Sequence, residues 1–503
     1  MISKISVENF KSFNQAVEMT MISSSKIRTK VDHRVQVGSK TRLLKHAIIY
    51  GANASGKSNL VDFFRFFKAT LDGGIPLWGT RHFCRTNSEN EGRDSVFEIQ
   101  MEIDGKFYAY GFSAVLSQRT ITGEWLYELY QNGCAKCIYE REKSAKPVLD
   151  TSIQLTSEEQ NRFATYADDF EDNTSDLFLT EMNRGKKYAE TSKLQIFQKI
   201  YRWLRNCIVI ITPDSGLTNF QYYYEEESLS LINDLITTFD TGISNVRIEE
   251  IDINELSKML PKQIFEDVLE KVRNSIAHSK NPHFRMSGRS DKCFFNIEAD
   301  GNDEPKITTI KLTHGKSVYD FDFSDESDGT RRLFDLMDML LLKREDVVFV
   351  VDELERSLHP KLTEHFLELF SELHRERKTQ LIFTTHEASI MEQRLFRRDE
   401  IWFIERGEQG SSRLYSLDRF KERYDKVLSK AYLEGRYGAI PVFKKFRFRE
   451  EQEDEDSELE DEASCVYWEE ATPILKQVAA VAYRTAKSEL NVDTDAFEVS
   501  YNG

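Results

Sequence analysis

The 503-residue sequence contains no run of about 18 consecutive apolar residues, the length a membrane-spanning helix requires. Its first residues, Met1-Ile2-Ser3-Lys4, pass straight into strand-like alternation without the apolar core of a signal peptide. Neither a membrane span nor a leader is expected, and a cytoplasmic location is the default. Positive charge is in deficit, 68 Lys and Arg against 85 Asp and Glu, for a net charge of −17. That field argues against a protein that coats nucleic acid through its overall charge, while leaving room for a local basic groove. Cysteine is scarce at six residues, and only Cys134 and Cys137 form a C-x-x-C. A zinc ribbon needs a second ligand pair at suitable spacing and none is visible, so reduced thiols at a hairpin tip are expected.

What is present is a globular composition, 40% hydrophobic and 30% charged, on a chain long enough for about two to four structural units. Residues 450–462 are almost entirely Glu and Asp, a block of like charge expected to be a solvated tract. Beyond it, residues 473–483 carry an apolar stripe at helical spacing that suits docking on the body or binding a partner.

Residues 51–58, Gly51-Ala52-Asn53-Ala54-Ser55-Gly56-Lys57-Ser58, satisfy the phosphate-loop pattern G-x-x-x-x-G-K-[ST] at every fixed position. The apolar run Ala47-Ile48-Ile49-Tyr50 precedes it as a buried strand, and Asn59-Leu60-Val61-Asp62-Phe63-Phe64 follows as the start of an amphipathic helix. Glycines allow the backbone N–H groups of such a loop to converge on phosphate oxygens, and the helix N-terminus adds its positive end. Lys57 then reaches the β- and γ-phosphates and Ser58 can ligate Mg²⁺, so nucleoside triphosphate binding is expected.

Four regions are expected. Residues 1–150 form an N-terminal half with the phosphate loop and an antiparallel β lobe, in which residues 96–103 and 106–112 make a hairpin around Asp104-Gly105. Residues 151–285 read as a helical insertion, residues 286–445 as a return to alternating strand and helix, and residues 446–503 as the acidic linker with a terminal helix. The apolar run from Val347 to Val351 ends in Asp352-Glu353, as a buried parallel strand does when its C-terminal end faces a ligand. Beside a phosphate loop, Asp352 would hold Mg²⁺ and Glu353 would activate the attacking water. A further strand, residues 380–385, ends at His386, placed to bond a γ-phosphate oxygen. Upstream, Ser327-Asp328-Gly329-Thr330 resembles a Ser-led turn that opens a helix.

Phosphate loop, Ser-x-Gly turn, Asp-Glu strand and Thr385-His386, in that order, resemble the ATP-binding-cassette ATPases, particularly SMC and RecF-like heads. Asn9-Phe10-Lys11-Ser12-Phe13 looks like their N-terminal segment, and residues 352–360 look like their Walker B strand and D-loop. Over about residues 1–445 the chain is most similar to stand-alone bacterial ATPases of abortive-infection and phage-defence systems, often called AAA-family ATPases. The resemblance implies an α/β P-loop NTPase head of ABC type, with a mixed sheet, an antiparallel β lobe and an inserted helical domain. It implies ATP and Mg²⁺ as ligands. Gly51, Asn53, Ala54, Ser55, Gly56, Lys57, Ser58 and Asn59 would cradle the phosphates, with Ser58 and Asp352 on the metal and Glu353 and His386 in catalysis.

Ser327 and Gly329 would act on the γ-phosphate of a second subunit, so that a homodimer or higher homo-oligomer forms around sandwiched ATP. Asp328 departs from the glycine of transport cassettes, and Gln100 is a weak candidate for the glutamine that links the lobes. Three functions remain open. One is a defence switch that controls an effector such as a Toprim nuclease, and another is a RecF-like repair ATPase that clamps DNA through Arg184-Gly185-Lys186-Lys187 or residues 444–449. The third, least favoured, is the motor of a transporter.

Overall fold

Short runs of β-branched and aromatic residues, too apolar to face water on either side, set the centre of the fold. The structure is a computed structural model that describes residues 1–38, 41–150, 153–213, 226–262, 265–270, 272, 283–289, 294–300, 305–420 and 427–441. Its central sheet contains β1 (His46–Tyr50), β2 (Ile208–Ile211), β3 (Val347–Val351), β4 (Thr379–Thr385), β5 (Ile401–Arg406) and β6 (Ser412–Ser416). The spatial order is β2-β3-β4-β1-β5-β6, parallel throughout except for the antiparallel edge strand β6. Every residue of β1, β3 and β4 is buried, because helices cover both faces.

Alternation sorts those residues between two cores. Ala47, Ile49, Val348, Val350 and Ile382 share one core with Leu60, Phe63, Phe64 and Phe67 of helix α1 (Lys57–Gly73). Ile48, Tyr50, Phe349, Val351 and Phe383 share the other with helices α2 (Asp328–Leu341) and α3 (Pro360–Leu373). On its far side α1 meets a seven-stranded antiparallel sheet. In spatial order its strands are Val148–Leu149, Ala135–Glu142, Thr120–Leu129, Lys106–Val115, Ser95–Ile103, Ile2–Glu8 and Val17–Thr20. The expected hairpin is there, and Asp104 (φ 52°) and Gly105 (φ 81°) take the left-handed conformations a tight two-residue turn needs. Phe66 packs against Phe97 at 4.9 Å between ring centroids, and Phe97 against Phe112 at 5.0 Å, which fastens the phosphate-loop helix to this lobe.

The expected helical stretch 151–285 is only partly helical. Ser157–Asp169, Phe178–Glu181 and Gln195–Asn206 are helices, and they are followed by β2, which pairs in parallel with β3 inside the central sheet. Its four residues, Ile-Val-Ile-Ile, are strongly β-forming but too few to outweigh flanking helical periodicity in a sequence reading. Further on, Ile243–Ile251, Lys306–His314, Phe294–Asp300 and His283–Arg289 form a third, antiparallel sheet with its own small core around Leu256, Phe295 and Ile297. The described residues fall within one compact unit, Met1–Val442, so residues 450–462, 473–483 and 444–449 lie outside them. Among the described residues no helix is long and apolar enough to cross a membrane.

Glu124 ties the antiparallel lobe to the helices beyond it. Its buried carboxylate accepts hydrogen bonds from Tyr110 Oη (2.9 Å), Tyr139 Oη (2.7 Å) and the backbone N–H groups of Phe178 (2.7 Å) and Leu179 (3.0 Å). Arg141 stands 3.5 Å away as its counter-ion. Truncation would leave the buried Arg141 without its counter-ion and would remove the acceptor of two buried hydroxyls and two backbone N–H groups, so Glu124→Ala is expected to lower the unfolding free energy by about 3–5 kcal/mol. Equilibrium urea denaturation of both proteins measures that difference, and a loss below about 1 kcal/mol would show that the network is not cooperative.

Candidate functional site

Strands β1, β3 and β4 are adjacent, so the segments that follow them emerge at one edge of the sheet. Residues 51–56 follow β1, Asp352-Glu353 follow β3, and His386 follows β4 between them in space. The loop turns through left-handed backbone at Ala54 (φ 60°) and Gly56 (φ 113°), and Gly56 caps the start of α1. A Cβ on Gly56 would sit 2.5 Å from Ser12 Oγ and 2.8 Å from Ser412 Oγ, and one on Gly51 would sit 2.5 Å from the Ile404 carbonyl. The glycines therefore serve close seating of the loop on its supports as well as backbone conformation.

Lys57 Nζ donates to the carbonyls of Gly51 (2.8 Å) and Ala52 (3.1 Å), and lies 3.3 Å from His386 Nδ1. Burial draws its ammonium down to about 8, against the opposing pull of Glu355, Asp352 and Glu353. Burial, and then the Lys57 charge, also lower the His386 pKa, which favours a neutral ring. With Nδ1 turned to the ammonium, the imidazole proton belongs on Nε2, free to donate.

Asp352 accepts from Thr384 Oγ1 at 2.6 Å, and the same hydroxyl accepts from the Glu353 N–H at 2.8 Å. Glu353 adopts φ 47°, rare for a residue with a Cβ, and its amide is held in that turn by Thr384. From α2, Arg332 reaches back to the carbonyls of Asp352 (3.4 Å) and Glu353 (3.2 Å). Glu355 accepts from the His386 N–H at 2.6 Å, and burial raises its pKa. Thr384, Arg332, Glu355 and Ser412 were not anticipated from sequence. The available signals were polar residues interrupting apolar runs, Thr384 at the end of β4 and Arg332 on the apolar α2.

The anticipated residues divide into two groups. Gly51, Ser55, Gly56, Lys57, Asp352, Glu353 and His386 converge on the sheet edge, with Asn53, Ala54 and Ser58 exposed at the loop and helix start. Asn59 instead braces the loop, donating to Ser12 Oγ at 2.7 Å, while Ser412 Oγ donates to the Ser55 carbonyl at 2.5 Å. Ser327 and Gly329 lie at the start of α2. The Ser327 hydroxyl caps the helix through Thr330 N–H (3.1 Å), and Gly329 rests on Ser357 beyond the Walker B turn. Lys11 is ion-paired with Asp62 of α1, and Gln100 donates to Glu98 within the antiparallel lobe at 2.9 Å. Cys134 and Cys137 are free thiols, and Lys186 is engaged by Glu181 at 2.5 Å.

These residues fit a triphosphate with its divalent cation. The loop amides and the helix start form an anion cradle, and Lys57 is held by exchangeable carbonyls of that same loop. The Ser58 hydroxyl and the Asp352 carboxylate are hard oxygen donors of the type Mg²⁺ takes.

A Cβ on Gly329 would stand 2.6 Å from the Ser357 carbonyl oxygen, a backbone atom that cannot swing aside. Helix propensity alone would make Gly329→Ala stabilising by about 1 kcal/mol, but the clash costs about 1–3 kcal/mol and decides the sign. Gly329→Ala is therefore expected to be net destabilising in urea. Gly73→Ala on α1, where a Cβ meets open space, should change stability in the other direction by less than about 1 kcal/mol.

A family model described as "AAA domain, putative AbiEii toxin, Type IV TA system" matches residues 47–392, more than half of the chain. No curated protein matches the sequence. Among solved structures, an SMC head bound to the C-winged helix domain of ScpA aligns with 14% identity and a TM-score of 0.37, covering 82% of this chain and 97% of that one. The SMC head domain from Thermotoga maritima aligns with 14% identity and a TM-score of 0.31, covering 82% of this chain and 98% of that one. The architecture is the α/β P-loop head expected from the sequence, a mixed sheet between helices with an antiparallel lobe on α1. With the phosphate loop, the Asp-Glu strand end and His386 all inside the matched span, the chain belongs to this AAA-domain family of P-loop ATPases.

Proposed function

We propose that this protein is a cytoplasmic ATP-binding and ATP-hydrolysing switch that regulates a partner effector, such as a Toprim nuclease, in an abortive-infection system. The observation that carries the reading is the meeting of Lys57, His386 and the Asp352-Glu353 turn at one sheet edge, while the Ser327 turn lies exposed against its own Ser357. This arrangement supports a reading in which the chain supplies half of a cassette-type site and offers its Ser327 turn to a second copy. The family description, which names an AbiEii toxin and a type IV toxin–antitoxin system, supports the defence setting.

In this reading the loop amides and Lys57 hold the phosphates, with Lys57 exchanging the Gly51 and Ala52 carbonyls for phosphate oxygens. Ser58 and Asp352 would hold Mg²⁺, which would supply neutralisation of phosphate charge. Thr384 fixes the Asp352 carboxylate and the Glu353 backbone together, so that Glu353 can take the proton of the attacking water. Neutral His386 donates from Nε2 to the γ-phosphate as charge develops. Ser327 and Gly329 of a second subunit close the site, which makes ATP a dimerisation switch and hydrolysis its reset.

Glu353→Gln keeps the shape of the turn but loses the base. It is expected to bind ATP normally, to hydrolyse it about 10²–10⁴-fold more slowly, and to accumulate as dimer in light scattering with ATP. Wild-type turnover in that variant would remove Glu353 from this role. Lys57→Ala should abolish ATP binding in calorimetry, and should abolish the toxicity of a nuclease encoded beside it if the switch reading holds. ATP turnover that rises several-fold with duplex DNA and falls with salt would instead favour a DNA clamp.

The Lys57 pKa gives a second test. A lysine whose folded value is depressed loses its proton in the free protein as pH passes about 8, whereas phosphate binding requires the charge. ATP affinity should therefore be flat below about pH 7 and weaken by up to about tenfold per unit above about pH 8. In the same window, between about 8 and the ordinary 10.5, the folded protein binds fewer protons than the unfolded one, so nucleotide-free stability should rise with pH. Lys57→Arg, which does not titrate there, should show neither trend.

A further inference from the structure

At the opposite end of β1 from the phosphate loop, three buried side chains converge that the ATPase reading does not use. His33 ends the 3-10 turn Val31–His33, His46 is the first residue of β1, and Glu400 closes the 3-10 turn Arg398–Glu400 ahead of β5. The two histidines flank the base of one hairpin, Arg34–Val37 with Thr41–Leu44, which the Lys45 N–H closes onto the His33 carbonyl at 3.0 Å. His33 is 3% exposed, His46 1% and Glu400 0%, so none of them can be treated as a solvated surface group.

Their spacing is close enough for a ligand set. His33 Nδ1 lies 3.1 and 3.0 Å from the two Glu400 oxygens, and His46 Nδ1 lies 3.4 Å from Oε1. Two donors on one tetrahedral zinc, each about 2.0–2.1 Å from it, stand about 3.3 Å apart. One donor atom from each residue lies within 4.8 Å of the others, a spread that small rotations of the two rings close. The outer contacts are also in place. The Arg397 N–H donates to Glu400 Oε2 at 2.8 Å, leaving Oε1 turned to the imidazoles, and His46 Nε2 meets Ser371 Oγ at 3.2 Å. A hydrogen bond on the far ring nitrogen is what orients a metal-bound histidine. A carboxylate with no solvent exposure needs a positive charge beside it, a role open to a protonated His33 or to a divalent ion.

We propose that His33, His46 and Glu400 bind a borderline divalent transition-metal ion, zinc by its donor set, as three protein ligands with one small ligand such as water completing the tetrahedron. The ion fastens the hairpin that carries His33 to the start of β1 and to the turn before β5. It lies on the order of 15 Å along β1 from the phosphate loop, at about 3.3 Å per residue, and takes no part in phosphate chemistry.

The test uses the full-length chain without a polyhistidine tag, produced with zinc and dialysed into metal-free buffer. Plasma mass spectrometry should find about one zinc per chain, and thermal unfolding of metal-depleted protein should rise by about 2–5 °C on saturation with zinc. His33→Asn and Glu400→Gln should each lose the bound equivalent and the thermal response while still binding ATP. Should those variants fail to fold, wild-type protein loaded with Co²⁺ decides, since nitrogen-ligated tetrahedral cobalt absorbs strongly in the visible. Less than about 0.1 zinc per chain with no thermal shift, no such cobalt spectrum, or full zinc retention in the folded variants would each overturn the proposal and leave a hydrogen-bonded His-Glu-His cluster.

Discussion

Hydrogen-bonded register between β3, β4 and β1 sets Val351 opposite Phe383 and Thr385 opposite Tyr50. Three segments, the first of them far from the other two in sequence, therefore leave the sheet at the same level and on the same edge. A slip of one residue in any of these pairings would exchange side chains between the two buried cores, so the packing on both sides of the sheet enforces the register. The position of Lys57 relative to Asp352 and His386 is thus a consequence of apolar packing in strands that contain no charged residue at their centres. Electrostatics enters only at the ends, where Thr384 joins the two acids and Lys57 stands beside His386.

The phosphate loop is held from outside as firmly as from within. Ser12, from the N-terminal segment, accepts from Asn59, and its carbonyl accepts from the Ser412 N–H at 2.7 Å, while the Ser412 hydroxyl reaches the Ser55 carbonyl. Segments from both ends of the described chain brace one turn. The Asn9–Phe13 stretch can do this because Asn9 (φ 49°) and Lys11 (φ 53°) reverse the backbone, and the Asn9 side chain is pinned by Asn90, Arg93 and Cys84. Its aromatic side is buried with α1, Phe10 packing on Phe66 at 5.4 Å. Loop, helix and antiparallel lobe are for this reason packed and hydrogen-bonded together.

Much of the site was legible because its chemistry is compressed into short spacings. A glycine-rich loop between strand and helix, an apolar run ending in two acids, and a histidine ending the next strand each stand out in one dimension. The α/β class and the antiparallel lobe were legible too, since alternation and the Asp104-Gly105 turn are local. The contact of the Asn59 amide with Ser12, 47 residues away, was not legible in the same way, because it depends on the fold. The strand Ile208–Ile211 was hidden for another reason, being a central-sheet strand whose partner β3 lies far along the chain.

By itself the sequence determined the local pieces: which runs are apolar enough to be buried strands, where glycine and serine start helices, and which motifs could meet phosphate. Periodicity and turn chemistry are properties of neighbouring residues, so they survive without a fold. Only the tertiary structure decided that Thr384 serves both acids, that Arg332 latches α2 to the Walker B turn, that Gly329 is required by Ser357, and that His33, His46 and Glu400 come together. Each of those relations joins residues distant in sequence. They exist because close packing leaves a buried polar group no partner except the one the fold brings to it.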